Sequence, residues 1–448
     1  MSPFLPPPHF VDCSHHFDEI GKQPPKWAIL DIINTTQARL LSGPIQSLAF
    51  LARIPGLDGP IGLPLIGNLW QIRENAAEKY QQWSRTHGAM YQIQLGNIPI
   101  VVVLSNSAST TIGKSPCSDS LKRRRKGAAS ALNRASNQTC IPHLDLESKD
   151  FVAELLRYGK SGDVEIRMDS QDDALFDEIP YVEDEISRFR STTGNLQDYV
   201  PLVRLNPFGF GSKKAAEMRD RRDEGKLNTE ELTSVSLAML SGGLDTVTTL
   251  LQWSIVLLSQ PLDVQEKAWK DISHFYSDEQ PLCDPLGDQK CKYIAALVRE
   301  CLRYFTVLRL APPHASIKDV TYEGVVSKGT VYFINAFACN RDEAIWSDSE
   351  EFCPERWLEV PDAPMFTSGI GYRMCAASML ANRELYLVFI RMMNSLENQK
   401  FDDVDAHPVS GNSDPTSLVA MPHKYKARFV PSNSSALEKG FRVVDEPL

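Results

Sequence analysis

One stretch governs what this chain can fold into. From Leu232 to Leu258, 27 residues carry a single charge, Asp245. Asn228 with Glu231 three residues later reads as an N-cap and its capping partner, so a helix is expected. At about 1.5 Å per residue it runs roughly 40 Å, enough to cross a whole domain. A membrane span competes with this reading, but the Ser, Thr, Gly and Gln residues favour a central core helix. The middle of the stretch breaks helix rules. Gly242-Gly243 costs roughly 1 kcal/mol per glycine relative to alanine, and Asp245 sets a carboxylate among apolar neighbours. Two glycines let something approach the backbone closely. Asp245 beside Thr246 pairs an acid with an alcohol, groups that can deliver protons in a dry site. A kink holding a buried, hydrogen-bonded aspartate would satisfy the same pattern.

Elsewhere the periodicity predicts helices over 74–87, 231–274, 291–305 and 374–396, with 110–230 mainly helical and more polar. A β-hairpin is expected from Tyr91–Leu95 and Pro99–Leu104 around Gly96-Asn97. Short strands are expected near 321–326 and 330–334, and two more near Leu418 and Arg428. The run from Gly59 to Asn68 is too rich in Pro and Gly for a helix interior or a central strand, so it reads as an ordered connector. Residues 1–54 form an N-terminal segment without an assignable structure. A domain is expected over 55–431 and a loose tail over 432–448.

Two further clusters carry chemistry. Glu300 and Arg303 lie three apart on a helix and can touch. Their flanks, Ile294, Leu297, Val298, Leu302 and Phe305, make that helix mostly buried. A buried arginine takes carboxylates bidentately, and Arg356, in Pro354-Glu355-Arg356-Trp357, is a candidate second basic partner. The segment Gly369-Ile370-Gly371-Tyr372-Arg373-Met374-Cys375-Ala376 sets a cysteine at the start of an amphipathic helix, where the helix dipole and free N–H groups stabilise a thiolate. Its glycines allow a tight loop against a flat ligand, and Arg373 can meet an anionic group on it. Taken by itself, Cys375 reads more readily as an inert buried thiol packed as a small hydrophobe.

The formal net charge of -10 argues against general nucleic-acid binding. Nine cysteines with no CxxC pair read as a reducing compartment rather than a disulfide framework, which makes the sequons at Asn34, Asn137 and Asn433 chance matches. Neither a signal peptide nor a transmembrane anchor is evident near the start.

In this order, the Pro/Gly entry, the Gly-Gly-Leu-Asp-Thr helix, Glu300-Cys301-Leu302-Arg303, the Pro-Glu-Arg-Trp turn and the Gly-x-Arg-x-Cys loop resemble the cytochrome P-450 family. Lys122–Lys126, Leu240–Thr249, Ala338–Asp342, Arg373–Ala376 and Leu380–Tyr386 resemble most the fungal phenylacetate and hydroxyphenylacetate hydroxylases. The resemblance implies a mainly α fold with small β-sheets, although two short stretches, before Lys114 and after Arg222, leave open whether it is complete. It implies heme b (iron protoporphyrin IX), with Cys375 as the axial thiolate that favours O–O cleavage. Asp245 and Thr246 would relay protons. Arg373 and His314 would contact haem propionates, and Gly371, Gly242 and Gly243 would lie against the haem. Glu300, Arg303 and Arg356 would form a structural network behind it. The implied activity is monooxygenation of a small molecule, possible ring hydroxylation of a phenylacetate-like aryl acid included. Electrons would come from NADPH through a reductase docking near Lys122–Lys126. Attachment to the cytoplasmic face of the endoplasmic reticulum membrane is implied as well. A haem-binding relic and a haem-thiolate protein that is not an oxygenase are the alternatives. Ser368 stands where the family has an aromatic residue, Ala377 where it has glycine, and Cys117 where the hydroxylases have tryptophan.

Overall fold

The computed structural model describes residues 53–442 except 97, 114–121, 123–124, 127–131, 133, 160–163, 166–228, 261–262, 288, 322–324, 327 and 401–403. In chain order the helices are α1 (Ala76–His87), α2 (Asn106–Gly113), α3 (Arg134–Thr139), α4 (Ile141–Gly159), α5 (Thr229–Leu258), α6 (Val264–Ile272), α7 (Lys292–Phe305), α8 (Ala336–Cys339), α9 (Arg356–Glu359), α10 (Ser378–Ser395) and α11 (Ser434–Arg442). The strands are β1 (Met90–Leu95), β2 (Ile98–Val103), β3 (Val164–Glu165), β4 (His314–Ala315), β5 (Val320–Thr321), β6 (Val325–Val326), β7 (Val331–Ile334), β8 (Leu396–Lys400) and β9 (Lys426–Pro431). The architecture is mainly helical with small sheets.

One sheet has the order β1-β2-β7-β4. β1 and β2 form an antiparallel hairpin with Ile93 opposite Ile100, and β2 then runs parallel to β7 with Val102 opposite Phe333. That parallel pairing explains why β2, Ile98–Val103, is an unbroken apolar run: helices and loops cover both of its faces. A second sheet, β3-β9-β8, is antiparallel.

The helical core joins the second half of α5 to α4, α6, α7 and α10. Trp253 of α5 stacks on Phe305 of α7 with ring centroids 5.1 Å apart, and its indole N–H donates to the Ala420 carbonyl at 2.8 Å. The expected helix over 231–274 is two helices. Pro261 lies between α5 and α6, where a proline removes a donor and disfavours helix in the residue before it. Helix α10 ends at Ser395, and β8 begins at once. Near Leu418 there is a single bridge, Leu308 to Val419, rather than a strand. The expected loose tail instead contains α11, because Leu437 is buried in the helical core. The cap residue Asn228 and the segment 1–52 lie outside the described residues.

Candidate functional site

Helix α7 is mostly buried, and two of its four charged residues, Glu300 and Arg303, face each other in a dry interior. Glu300 and Arg303 are both fully buried. Arg303 donates from Nε to Glu300 Oε2 at 2.9 Å and from Nη2 to Oε1 at 2.8 Å, the bidentate fork. Its remaining donors reach the carbonyls of Asn340, Ser349 and Glu351. Glu300 also accepts from the Cys353 N–H and the Trp357 indole, each at 2.9 Å. Arg356 Nε lies 3.3 Å from Glu300 Oε1 and holds the 347–353 turn through its carbonyls. Sequence-distant segments are thereby fixed around one ion pair. With every donor and acceptor committed, the desolvation cost of the two charges is offset.

That frame supports the cysteine loop. Gly369 and Gly371 have φ of +71° and +65°. The Cys375 N–H donates to the Ser368 carbonyl at 2.8 Å and closes the loop. A short 3-10 turn, Gly371–Arg373, precedes Cys375, and α10 begins three residues after it. The cysteine is exposed. At Gly371 a Cβ would collide with the Gly113 carbonyl, so its missing side chain admits the end of α2.

Above the loop, Arg125 donates to the Met374 carbonyl. His314, at the start of β4, is buried, and its Nδ1 has no hydrogen-bond partner. Burial pushes its pKa down to about 4, and the charges of Arg373 and Arg125 push in the same direction. Two guanidinium groups and a neutral buried imidazole therefore share one neighbourhood.

On α5, Gly242 and Gly243 are exposed, and among the described residues a Cβ at either would meet nothing within 4 Å outside the helix's own backbone. Thr246 Oγ1 donates to the Gly242 carbonyl at 2.7 Å. Asp245 and Thr246 are half-buried, and Val247 packs against the core that α10 helps to build.

Among the described residues, no group of three or more His, Cys, Asp or Glu could hold a metal ion. A metal that brings its own equatorial ligands needs only one protein ligand, and an exposed cysteine in a braced loop supplies one. The orphaned His314 Nδ1 with Arg373 and Arg125 suits the carboxylates of a haem, so the residues fit that group.

Sequence reasoning missed Asn340, Arg125 as an individual contact, Arg391 and Arg309. Asn340 is fully buried and bonds Thr306, Thr367 and Phe366. Arg391 breaks the apolar run Leu385–Met393 of α10, a visible signal, and binds Asp145 and carbonyls of the 282–283 turn. Lys122 and Lys126 are exposed, and Cys117 lies outside the described residues.

A family model described as Cytochrome P450 matches residues 210–429. The chain is 55% identical over 469 residues to 3-hydroxyphenylacetate 6-hydroxylase of Emericella nidulans, covering 86% of this chain and 91% of that one. It is 31% identical to phenylacetate 2-hydroxylase of the same organism, covering 87% and 93%. It is 29% identical to a cytochrome P450 monooxygenase of Mycosarcoma maydis, covering 86% and 90%. The first alignment is longer than the 448 residues of this chain, so some of that relative's residues face gaps here.

Proposed function

This chain belongs to the cytochrome P450 family, and from that premise we propose that it hydroxylates the aromatic ring of a phenylacetate-like aryl acid. It is a monooxygenase, an oxidoreductase that incorporates oxygen from dioxygen, and the family implies haem, a small-molecule substrate and a redox partner. The proposed cofactor is heme b, with electrons passed from NADPH through a cytochrome reductase. The observation that carries the substrate class is the 55% identity to a hydroxylase named for a hydroxyphenylacetate.

When bound, haem supplies the redox-active iron at which dioxygen is reduced. Cys375 is its proposed ligand, through a thiolate that donates electron density toward the metal. Arg373, Arg125 and His314 would hold the haem carboxylates. His314 is kept neutral by burial and can donate one hydrogen bond without adding a third positive charge. Gly242 and Gly243 would let the macrocycle lie close to α5. Each turnover puts one oxygen atom on the substrate and releases the other as water, which consumes two protons and two electrons. Asp245 and Thr246 are proposed to pass those protons inward. The Glu300–Arg303–Arg356 network would hold the loop rather than touch substrate.

The reductase is proposed to dock beside the cysteine loop, where Arg125 lies against Met374 and Lys122 and Lys126 are exposed. Attachment to the cytoplasmic face of the endoplasmic reticulum is proposed as well. No helix among the described residues is long and apolar enough to cross a membrane. The exposed Ile61, Leu63, Leu65 and Trp70 support a surface contact with lipid.

The test is direct. The purified protein, reduced under carbon monoxide, should show the red-shifted Soret band of a thiolate complex, and Cys375→Ala should lose it. With NADPH and a reductase it should convert a phenylacetate or hydroxyphenylacetate to a ring-hydroxylated product. An unchanged band in Cys375→Ala refutes the ligand assignment. Oxygen consumption without a hydroxylated product across aryl acids refutes the substrate class.

A further inference from the structure

The network around Glu300 and the loop around Cys375 are joined by one side chain. Asn340 lies at the C-terminal end of α8 and is fully buried. Its carbonyl oxygen accepts from Arg303 Nη1 at 3.0 Å. Its amide nitrogen donates to Thr306 Oγ1 at 2.9 Å and to Thr367 Oγ1 at 3.0 Å. Its Oδ1 accepts from the Phe366 N–H at 2.8 Å. Thr306 in turn donates to the Arg303 carbonyl, and Thr367 to the Leu302 carbonyl, each at 2.6 Å. Asn340 thus clamps the C-terminal end of α7 to the first two residues of the cysteine loop.

From there the bonds lead to the sulfur. The Phe366 carbonyl accepts from the Gly369 N–H, and the Ser368 carbonyl accepts from the Cys375 N–H, both at 2.8 Å. We propose that Asn340 is a positioning residue for Cys375, transmitting the rigidity of the buried Glu300–Arg303 pair to the loop that presents the sulfur. This rests on Cys375 being the haem ligand. A planar amide suits the task because it offers two donors and one acceptor without charge, in a place too dry for a lone ion. Alanine would leave two hydroxyls and one N–H without their partner, so the loop entry would lose its fixed register.

Asn335 provides the comparison. It sits at the other end of α8, is equally buried, and its side chain makes two bonds: its Nδ2 donates to the Ala77 carbonyl at 2.7 Å and its Oδ1 accepts from the Ala338 N–H at 3.0 Å. Neither of these leads to the cysteine loop. A merely structural role for Asn340 predicts that Asn335→Ala and Asn340→Ala behave alike.

The haem-loaded proteins are reduced under carbon monoxide in mild urea, and the decay of the red-shifted thiolate band is timed beside each variant's thermal midpoint. Asn340→Ala should shorten the half-life of that band by roughly tenfold, the factor set by one net hydrogen bond or slightly more. Asn335→Ala should lower the thermal midpoint and leave the half-life near wild type. Thr367→Val cuts one arm of the clamp and should fall between. If Asn340→Ala binds no haem, the Thr367→Val comparison decides. Equal half-lives in the Asn335 and Asn340 variants, or in Thr367→Val and wild type, overturn the inference. A wild-type complex with no red-shifted band overturns the ligand reading itself, and this inference with it.

Discussion

Thr246 has committed its hydroxyl proton to the Gly242 carbonyl. Its oxygen lone pairs remain available to accept a proton donor, so the residue can order a water beside α5. On this reading Thr246→Ala removes an acceptor at the point of proton delivery without disturbing the core. The variant should bind haem normally and divert reducing equivalents into hydrogen peroxide, measured as peroxide formed per NADPH consumed; unchanged coupling removes Thr246 from the relay. His314 carries a different signature. Its folded pKa lies at about 4, below the ordinary histidine value. A depressed histidine pKa favours the neutral form in the folded state, so this contribution to stability is present above the unfolded pKa. It declines as pH falls from about 6.5 toward about 4, because the unfolded chain takes up the proton first. Thermal midpoints of the haem-free protein recorded across that window should fall less steeply in His314→Gln than in wild type.

At the scale of elements, the contact between α2 and the cysteine loop leaves no room for a side chain on either of its glycines. Gly371 has φ +65° and faces the Gly113 carbonyl; Gly113 faces Ile370 Cγ2, which an added Cβ would meet at 2.6 Å. Alanine at Gly371 must push a helix carbonyl and hold a left-handed conformation, so haem retention should be lost. Alanine at Gly113 meets only a methyl group, and Ile370→Leu, which removes that branch, should restore haem content; no restoration would refute this account of the packing. Helix α7 was legible in the sequence because a buried helix with two charges three apart must pair them. The cysteine loop was legible because glycine, arginine and cysteine stand together in a short span. The roles of Asn340 and Arg391 were not, because their partners, hydroxyls, a carboxylate and main-chain groups, lie in segments distant in sequence. The contact of Gly371 with α2 was not legible, because its neighbour is a carbonyl that carries no side-chain signature. The break between α5 and α6 was legible from Pro261 and from the change to a charged, amphipathic pattern after it.

At the scale of the whole molecule, the connector after Arg53 presents an apolar tip rather than burying it. Leu63 and Gly67 form a bridge, Leu65 stands in the turn with φ +68°, and Ile61 is 78% exposed. The Arg73 guanidinium lies over the Trp70 ring, 4.3 Å from its centroid, and an aromatic with a cation over its face suits the headgroup layer. Full-length protein should co-sediment with vesicles of phosphatidylcholine and phosphatidylserine, and Ile61→Ser/Leu63→Ser/Leu65→Ser should weaken this while keeping the carbon monoxide spectrum. Equal co-sedimentation would exclude this tip as the contact. The central sheet has a further consequence. Strand β2 finds its parallel partner β7 more than two hundred residues later, and Glu78 waits as long for Arg309, which also binds the Pro408 carbonyl. At about 5–20 residues per second, a ribosome spends tens of seconds with Ile98–Val103 made and unmatched. During that interval the newborn polypeptide displays a bare, apolar sheet edge, which stays open to wrong partners until residues 331–334 have been made.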